Sequence, residues 1–486
     1  MSLDWQQLQH IAPELGVALD LVVALAASSH VILNKTDPRA ATAWVGLIWL
    51  VPFVGAMLYV FLGINRIRRR AKVLKSGATP YGVRLDEMPG SPADLDRELG
   101  SERASLIELA RVIGKTTQRP LLVGNRVDRL VDGDEAYPAM IEAIRSATKS
   151  ISLVSYIFEA TGIGETFIDA LAEARARGVE VRVLIDDVGT RYARPRIHRV
   201  LKKRAVPVAK FMPALLPRSF THFNLRNHCK IMVVDGRVGF TGGMNIRQSS
   251  VLASQPAYPT KDLHFRVLGP VVAQLQEPFA RDWSFTTGEK LEGSLWFPEL
   301  DPEGEILARG ITDGPDMDIE KLPWVFLAAI GAARRSIRIM TPYFLPDVVL
   351  TKALHLAAER GVEVDIIVPE VGNLPVVRWA MWANHRQVLH EGVQLWLSPP
   401  PFDHSKLFVV DGYWSSIGSS NWDPRSLRLN FEFNLECYDD VLGASLEDHV
   451  QRRLRTARLL THEELDRRSK LHKLRDAAAR LMTPYL

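Results

Sequence analysis

The sequence predicts an α/β fold: two related α/β halves joined about a pseudo-twofold axis, preceded by an N-terminal two-helix transmembrane anchor. Three observations predict it. Two apolar stretches open the chain, the remainder repeats itself, and one short motif occurs in each repeat with identical spacing.

The apolar stretches run over about residues 15–33 and 42–64. A helix needs roughly 20 apolar residues to cross the hydrocarbon core. The second stretch meets that length easily, with Trp44, Trp49 and Tyr59 as interface anchors. The first is weaker, because Asp20 and His30 interrupt it near its ends, where a charge costs less than at the bilayer centre. The opening MSLDWQQLQH lacks the basic start of a signal peptide, no small-residue cleavage site is evident, and a second span follows. After that span come Arg66, Arg68, Arg69, Arg70, Lys72 and Lys75, which place this end on the cytoplasmic side by the positive-inside rule. Residues 34–41 then form the outer loop. Residues 1–75 read as the anchor, and residues 76–104, rich in Pro, Gly and charge, as a linker.

The body is of ordinary globular composition. Across 486 residues, 47% are hydrophobic and 24% charged, which excludes a disordered or collagen-like chain. The net charge of +4 is only mildly basic. Cys229 and Cys437 are the two cysteines, in neither a CxxC nor a zinc-type spacing. They read as unpaired thiols, as suits a reducing compartment.

The duplication is visible in KSISLVSYIFEATGIGETFIDALAEARARGVEVRVLIDD and RSIRIMTPYFLPDVVLTKALHLAAERGVEVDIIVPE. Each is an apolar β-rich run, a polar turn, a helix with apolar residues three and four apart, Arg-Gly, then a buried strand. Gly178 and Gly361 fall where a helix C-cap is expected. Such alternation implies a layered α/β unit, and two copies imply a fused pseudo-dimer. The halves are placed at residues 105–295 and 296–486.

The shared motif reads NHCKIMVVDGRVGFTGGMN from Asn227 and DHSKLFVVDGYWSSIGSSN from Asp403. Both fit H-x-K-x4-D-x6-G-[GS]-x-N. His and Lys two apart on a strand share one face. Asp235-Gly236 and Asp411-Gly412 read as hairpin turns. The returning strand then brings Asn245 or Asn421 back towards His228 and Lys230, or His404 and Lys406. An imidazole, an ammonium and a carboxamide together suit a phosphodiester, with Lys and Asn on its anionic oxygens and His doing proton or covalent work. Asp235 and Asp411 read as structural members of the motif. Gly243 and Ser419 permit close backbone approach.

These paired motifs resemble the HKD motifs of the phospholipase D superfamily, from about Asp128 to the C-terminus. The anchor, NLRNHCKIMVVDG and the terminal RLMTPYL are similar to bacterial cardiolipin synthases in particular. Cys229 departs from the Arg that family often carries between His and Lys. On a strand it faces away from His228, so tuning is expected and not loss of activity.

The resemblance implies a single site holding both histidines, with His228 as nucleophile and His404 as general acid/base. The sequence itself is symmetric on that point. Asp262 and Glu432, about 30 residues past each motif histidine, stand where the family places histidine-orienting carboxylates, which would raise the imidazole pKa values. The implied reaction joins two phosphatidylglycerols into cardiolipin and glycerol, with the sequence leaving the second lipid open between phosphatidylglycerol and phosphatidylethanolamine. Lys and His supply the positive charge, so neither metal nor cofactor is expected, and no nucleotide fingerprint is evident. The implied location is the bacterial cytoplasmic membrane, multi-pass, with the body on the cytoplasmic side. Oligomeric state is not readable. Two further features suggest lipid contact: the apolar segment at residues 211–217, and the basic C-terminal stretch from Arg452 to Arg480. The rival readings are a membrane-tethered phospholipase D or nuclease with the same machinery, and a catalytically dead scaffold. Intact His, Lys and Asn in both halves argue against the scaffold.

Overall fold

The computed structural model describes residues 5–35, 37–63, 103–213, 225–316 and 318–483. It divides into two compact units, Met1–Arg70 and Ala71–Leu486. The basic run at residues 66–75 and nearly all of the expected linker lie outside the described residues.

The N-terminal unit differs from its expectation in one respect. The first stretch, marked as the weaker, is one unbroken helix, α1 (Trp5–Asn34), and residues 14–34 are long and apolar enough to cross a membrane. The second is broken into α2 (Pro38–Leu50), α3 (Val54–Leu58) and a π-turn over Tyr59–Gly63. The cause is Pro52, which has no N–H to donate and precedes Phe53 at φ 54°. In hydrocarbon each backbone group that a break releases needs an internal partner. Asp20 supplies one, accepting from the Phe53 N–H at 2.7 Å. His30 Nδ1 lies 2.7 Å from the Tyr59 hydroxyl, and Ser28 accepts from Trp49 Nε1. The polar residues that weaken α1 as a span are therefore the ones that hold the broken segment.

The second unit is built on one large sheet and a separate two-stranded one. The first half contributes β1 (Leu122–Val131), β2 (Ser150–Ser155), β3 (Glu180–Asp186), β4 (Val208–Phe211), β5 (Arg226–Asn227), β6 (Ile231–Val234), β7 (Val238–Gly242), β8 (Thr260–Lys261) and β9 (Leu263–Leu268). The second contributes β10 (Ile306–Asp313), β11 (Ser336–Met340), β12 (Glu363–Pro369), β13 (Val393–Ser398), β14 (Phe402–Asp403), β15 (Leu407–Val410), β16 (Trp414–Gly418), β17 (Asn430–Tyr438) and β18 (Arg458–Leu459). The order is β18-β13-β12-β11-β15-β16-β17-β10-β1-β9-β7-β6-β2-β3-β4, so β10 and β1, antiparallel, join the halves at the centre. β2–β3–β4 and β11–β12–β13 are the matching parallel triplets.

The helices match as well. α4 (Ala104–Thr117) precedes the repeats; α5 (Asp132–Ser146), α6 (Ile163–Ala176), α7 (Ile197–Lys203) and α8 (Val272–Thr287) belong to the first half. α9 (Lys321–Ala332), α10 (Val348–Glu359), α11 (Pro375–Val388), α12 (Pro424–Arg428), α13 (Asp440–Leu454), α14 (His462–Arg467) and α15 (Lys470–Arg480) belong to the second. Gly178 and Gly361, at φ 91° and 86°, end α6 and α10 in the left-handed region that a side chain disfavours. The Arg before each does equivalent work. Arg177 donates to the last carbonyls of α5, at Ile144 and Ala147, and Arg360 to Ile330 and Ala333 of α9. Each half has its own buried apolar core. α4, placed by the sequence at the start of the first half, packs Leu106, Ile107, Leu109, Ala110 and Ile113 into the core of the second.

Candidate active site

The motif hairpins form as their pattern requires: β6 returns through Asp235-Gly236 to β7, and β15 through Asp411-Gly412 to β16. The two aspartates stand at the turn end of the hairpin, and the histidines at the other. Asp235 accepts from the backbone N–H groups of Thr148, Lys149 and Ser150. Asp411 accepts from those of Arg334, Arg335 and Ser336. They pin the start of β2 and β11 to the hairpin. Burial alone would raise the Asp235 carboxyl, and these donors hold it below its ordinary value.

The histidines are placed by strand pairing between the halves. β5, leading into His228, runs parallel to β17, and the His228 N–H donates to the Phe431 carbonyl at 2.9 Å. β14, leading into His404, runs parallel to β8, and the His404 N–H donates to the Lys261 carbonyl at 2.7 Å. Each imidazole is thereby set beside a carboxylate of the other half. His228 Nδ1 is 3.0 Å from Glu432 Oε1, and His404 Nδ1 is 2.8 Å from Asp262 Oδ2. Both carboxylates are in contact with imidazoles, with the partners crossed between the halves. The residue before each histidine fixes the turn: Asn227 Oδ1 accepts from the Cys229 N–H, and Asp403 Oδ1 from the Ser405 N–H.

The remaining expected site residues divide. Lys230 and Lys406 donate to the carbonyls of His228 and His404, which keeps each ammonium beside its own imidazole. Asn245 Oδ1 accepts from the Ile157 N–H, while Asn421 Nδ2 donates to Ser426 Oγ. Gly243 and Ser419 stand against the two carboxylates. A Cβ on Gly243 would lie 2.3 Å from Asp262 Oδ1, and the Ser419 hydroxyl donates to Glu432. Tyr156 and Tyr343 were not anticipated. Each packs its ring edge-on to a histidine, His228 at 5.2 Å and His404 at 6.5 Å between centroids. They occupy matching places in SYIF and PYFL, so aligning the repeats was the signal that could have found them.

Residues 140–283 and 326–454 match the family described as cardiolipin synthase, PLD-like domain. The chain belongs to the PLD-like cardiolipin synthase family. Residues 22–63 match the phospholipase D-nuclease N-terminal family. Cardiolipin synthase A of Pseudomonas syringae is 31% identical, covering 95% of both chains. Cardiolipin synthase 1 of Staphylococcus epidermidis is 29% identical over 97% of this chain and 99% of its own. In fold, the crystal structure of the phosphatidylserine synthase of Haemophilus influenzae Rd KW20 superposes with TM-score 0.60, at 17% identity, covering 78% of this chain and 100% of that one.

In this cardiolipin synthase-family site, burial governs the charges. It pushes the His228 imidazole down to about 4, against the upward pull of Glu432, and pushes His404 well below its ordinary value, aided by Lys406 and Lys230. The expectation of raised histidines is thus reversed, because removal from water outweighs Glu432 at His228 and acts together with neighbouring cations at His404. Burial lowers Lys230 to about 7 and Lys406 to about 8. The two carboxylates part company. Burial lifts Asp262 to about 8, whereas for Glu432 burial is outweighed by His228 and Lys230, which hold it below its ordinary value. The carboxyls thus set the two pairs apart, Asp262 holding its proton more tightly than Glu432 does.

The two lipid-contact expectations are narrowed. Phe211 is fully buried against Phe285 and Phe431, and residues 214–217 lie outside the described residues. Much of the basic C-terminal stretch is neutralised within the fold. Arg452 pairs with Asp448, Arg453 with Asp403, Arg458 with Glu370 and Glu464, and both Arg468 and Arg475 with Asp476.

Proposed function

We propose that this protein transfers a phosphatidyl group from one phosphatidylglycerol to another, giving cardiolipin and glycerol through a phosphatidyl-histidine intermediate. The observation that carries this reading is the crossed pairing of two half-buried imidazoles with two unlike buried carboxylates. In the His228 pair, ionised Glu432 accepts Nδ1–H, leaving the Nε2 lone pair to attack phosphorus. In the His404 pair, the extra proton lies between Asp262 and Nδ1, so Nε2 carries a hydrogen to give away. The P–Nε2 bond forms as the P–O bond to glycerol breaks, and His404 protonates the departing oxygen. His404 then takes the proton from the hydroxyl of the second phosphatidylglycerol. A P–O bond forms, P–Nε2 breaks, and His228 returns neutral. Lys230, Lys406 and the Asn245 amide stabilise charge on the phosphoryl oxygens, the largest contribution in such transfers.

The anchor keeps the chain in the cytoplasmic membrane with its body on the cytoplasmic side, where the basic run after the second apolar segment directs it. The substrate is a membrane lipid and not nucleic acid. The test uses full-length protein in vesicles of phosphatidylglycerol alone, with products followed by mass spectrometry. Cardiolipin with stoichiometric glycerol is expected. Phosphatidic acid alone would make the protein a hydrolase, because water would then be the acceptor.

A further inference from the structure

The two halves repeat each other closely, yet His404 faces Asp262 where His228 faces Glu432, and the residue before each histidine differs as well. On the His228 side the residue before the histidine is Asn227, neutral, donating from Nδ2 to Asp282 at 2.6 Å. On the His404 side it is Asp403, buried like Asn227 and capping the same turn, with Ser405 N–H at 3.1 Å and the Ser405 hydroxyl at 2.7 Å. Its second oxygen meets Arg453 Nε of α13 at 2.9 Å, an ion contact without hydrogen-bond alignment. Asp403 is opposite Lys261 in the β14–β8 register, one residue from Asp262. Asp262 is in turn tied to Asp132, whose carboxylate accepts its N–H at 2.8 Å. Three carboxyls, Asp132, Asp262 and Asp403, thus crowd behind one imidazole. The cations and bases facing them are Lys261 on β8, Lys406 beside His404, Lys230 from the first half, and Arg453 and His449 on α13.

We propose that Asp403, balanced by Arg453, is the positioning residue that makes the His404–Asp262 pair the acid of the reaction. This rests on the two-histidine reading. When His404 gives its proton to the leaving oxygen, the pair passes from neutral to one negative charge. A neighbouring carboxylate opposes that change and keeps the proton on the pair until the leaving group needs it. Arg453 tempers the opposition, so that the proton is still released. Asn227 exerts no such force on the His228–Glu432 pair, which stays negative and nucleophilic.

Asn227 also shows that an asparagine fits this turn, so Asp403→Asn removes the charge and keeps the cap. The experiment is the pH profile of glycerol release by the full-length protein in phosphatidylglycerol vesicles. Asp403→Asn should move the alkaline limb down by about one pH unit, and Arg453→Gln should move it up by a similar amount. The double variant should fall back towards the parent. A phosphatidyl ester of p-nitrophenol, whose leaving group needs no proton, should show neither shift; this separates the acid from Lys230 and Lys406, which both substrates require. An unmoved limb in Asp403→Asn, or movement in the same direction in both variants, overturns the proposal. So does uniform loss of activity without a shift while the melting temperature is kept. The p-nitrophenol burst reads the first transfer whether lipid or water is the acceptor. A parent enzyme that bursts normally yet makes no cardiolipin therefore counts against the proposed product, and not against Asp403.

Discussion

At the residue scale the chemistry turns on burial. Imidazoles in water would be half-charged near neutrality, and here removal from water pushes both below their ordinary value. The consequence is a bell-shaped dependence of turnover on pH. His228, lowered to about 4, is protonated and loses its lone pair as pH falls through that value. The His404–Asp262 pair, with Asp262 raised to about 8, loses its acidic proton as pH rises through that one. Turnover of phosphatidylglycerol should therefore decline on both sides, with apparent limits that belong to the coupled pairs. His228→Ala and His404→Ala should each reduce turnover by about 10⁴-fold with an unchanged melting temperature. Normal transfer by either would end the two-histidine account. Gly243 matters for the space it leaves. Gly243→Ala puts a methyl group 2.3 Å from Asp262 Oδ1 and should depress activity as Asp262→Ala does, at a site with no functional group to lose.

Elements explain why the motif aspartates recur without touching the reaction. Asp235 and Asp411 each collect backbone donors from the turn entering β2 or β11, and so fix the hairpin that carries His and Lys against the parallel strands. Charged hydrogen bonds of this kind contribute about 2–3 kcal/mol. Asp411→Ala should lower unfolding stability by about that amount, measured by denaturant titration, while turnover per folded molecule stays near the parent value. A large fall in turnover without lost stability would instead place Asp411 in the chemistry. The same logic covers the anchor. Pro52 breaks the second apolar segment, and Asp20 accepts the backbone N–H at the break, so a polar residue in α1 belongs to the architecture of its neighbour.

For the whole molecule, the site exists only because two halves exchange carboxylates. His228 depends on Glu432 and His404 on Asp262, so neither half has a complete histidine pair of its own. Asp262→Asn should therefore reproduce the defect of His404 variants: loss of about 10²–10³-fold with glycerol as leaving group, and little with p-nitrophenol. Glu432→Gln should slow both substrates, because it disables the nucleophile. If each carboxylate instead followed the histidine of its own half, the crossed wiring would be wrong.

The sequence by itself determined the apolar N-terminus, the duplicated α/β halves, the glycine-capped helices and the motif hairpins. All of these follow from local periodicity and turn chemistry, which a linear text preserves. It also named the two histidines and lysines, since their spacing repeats, while the two carboxylates came from the family resemblance. Only the tertiary structure decided which carboxylate meets which histidine, because that is set by β5 joining β17 and β14 joining β8, and β5, β8 and β14 are two-residue strands with no periodic signal. The direction of the histidine shifts was likewise beyond spacing. It depends on how completely water is excluded, which no list of neighbours in sequence reveals. The asymmetry between Asn227 and Asp403 was legible as a single letter, but its meaning came from Arg453, brought from α13 to the carboxylate by the fold.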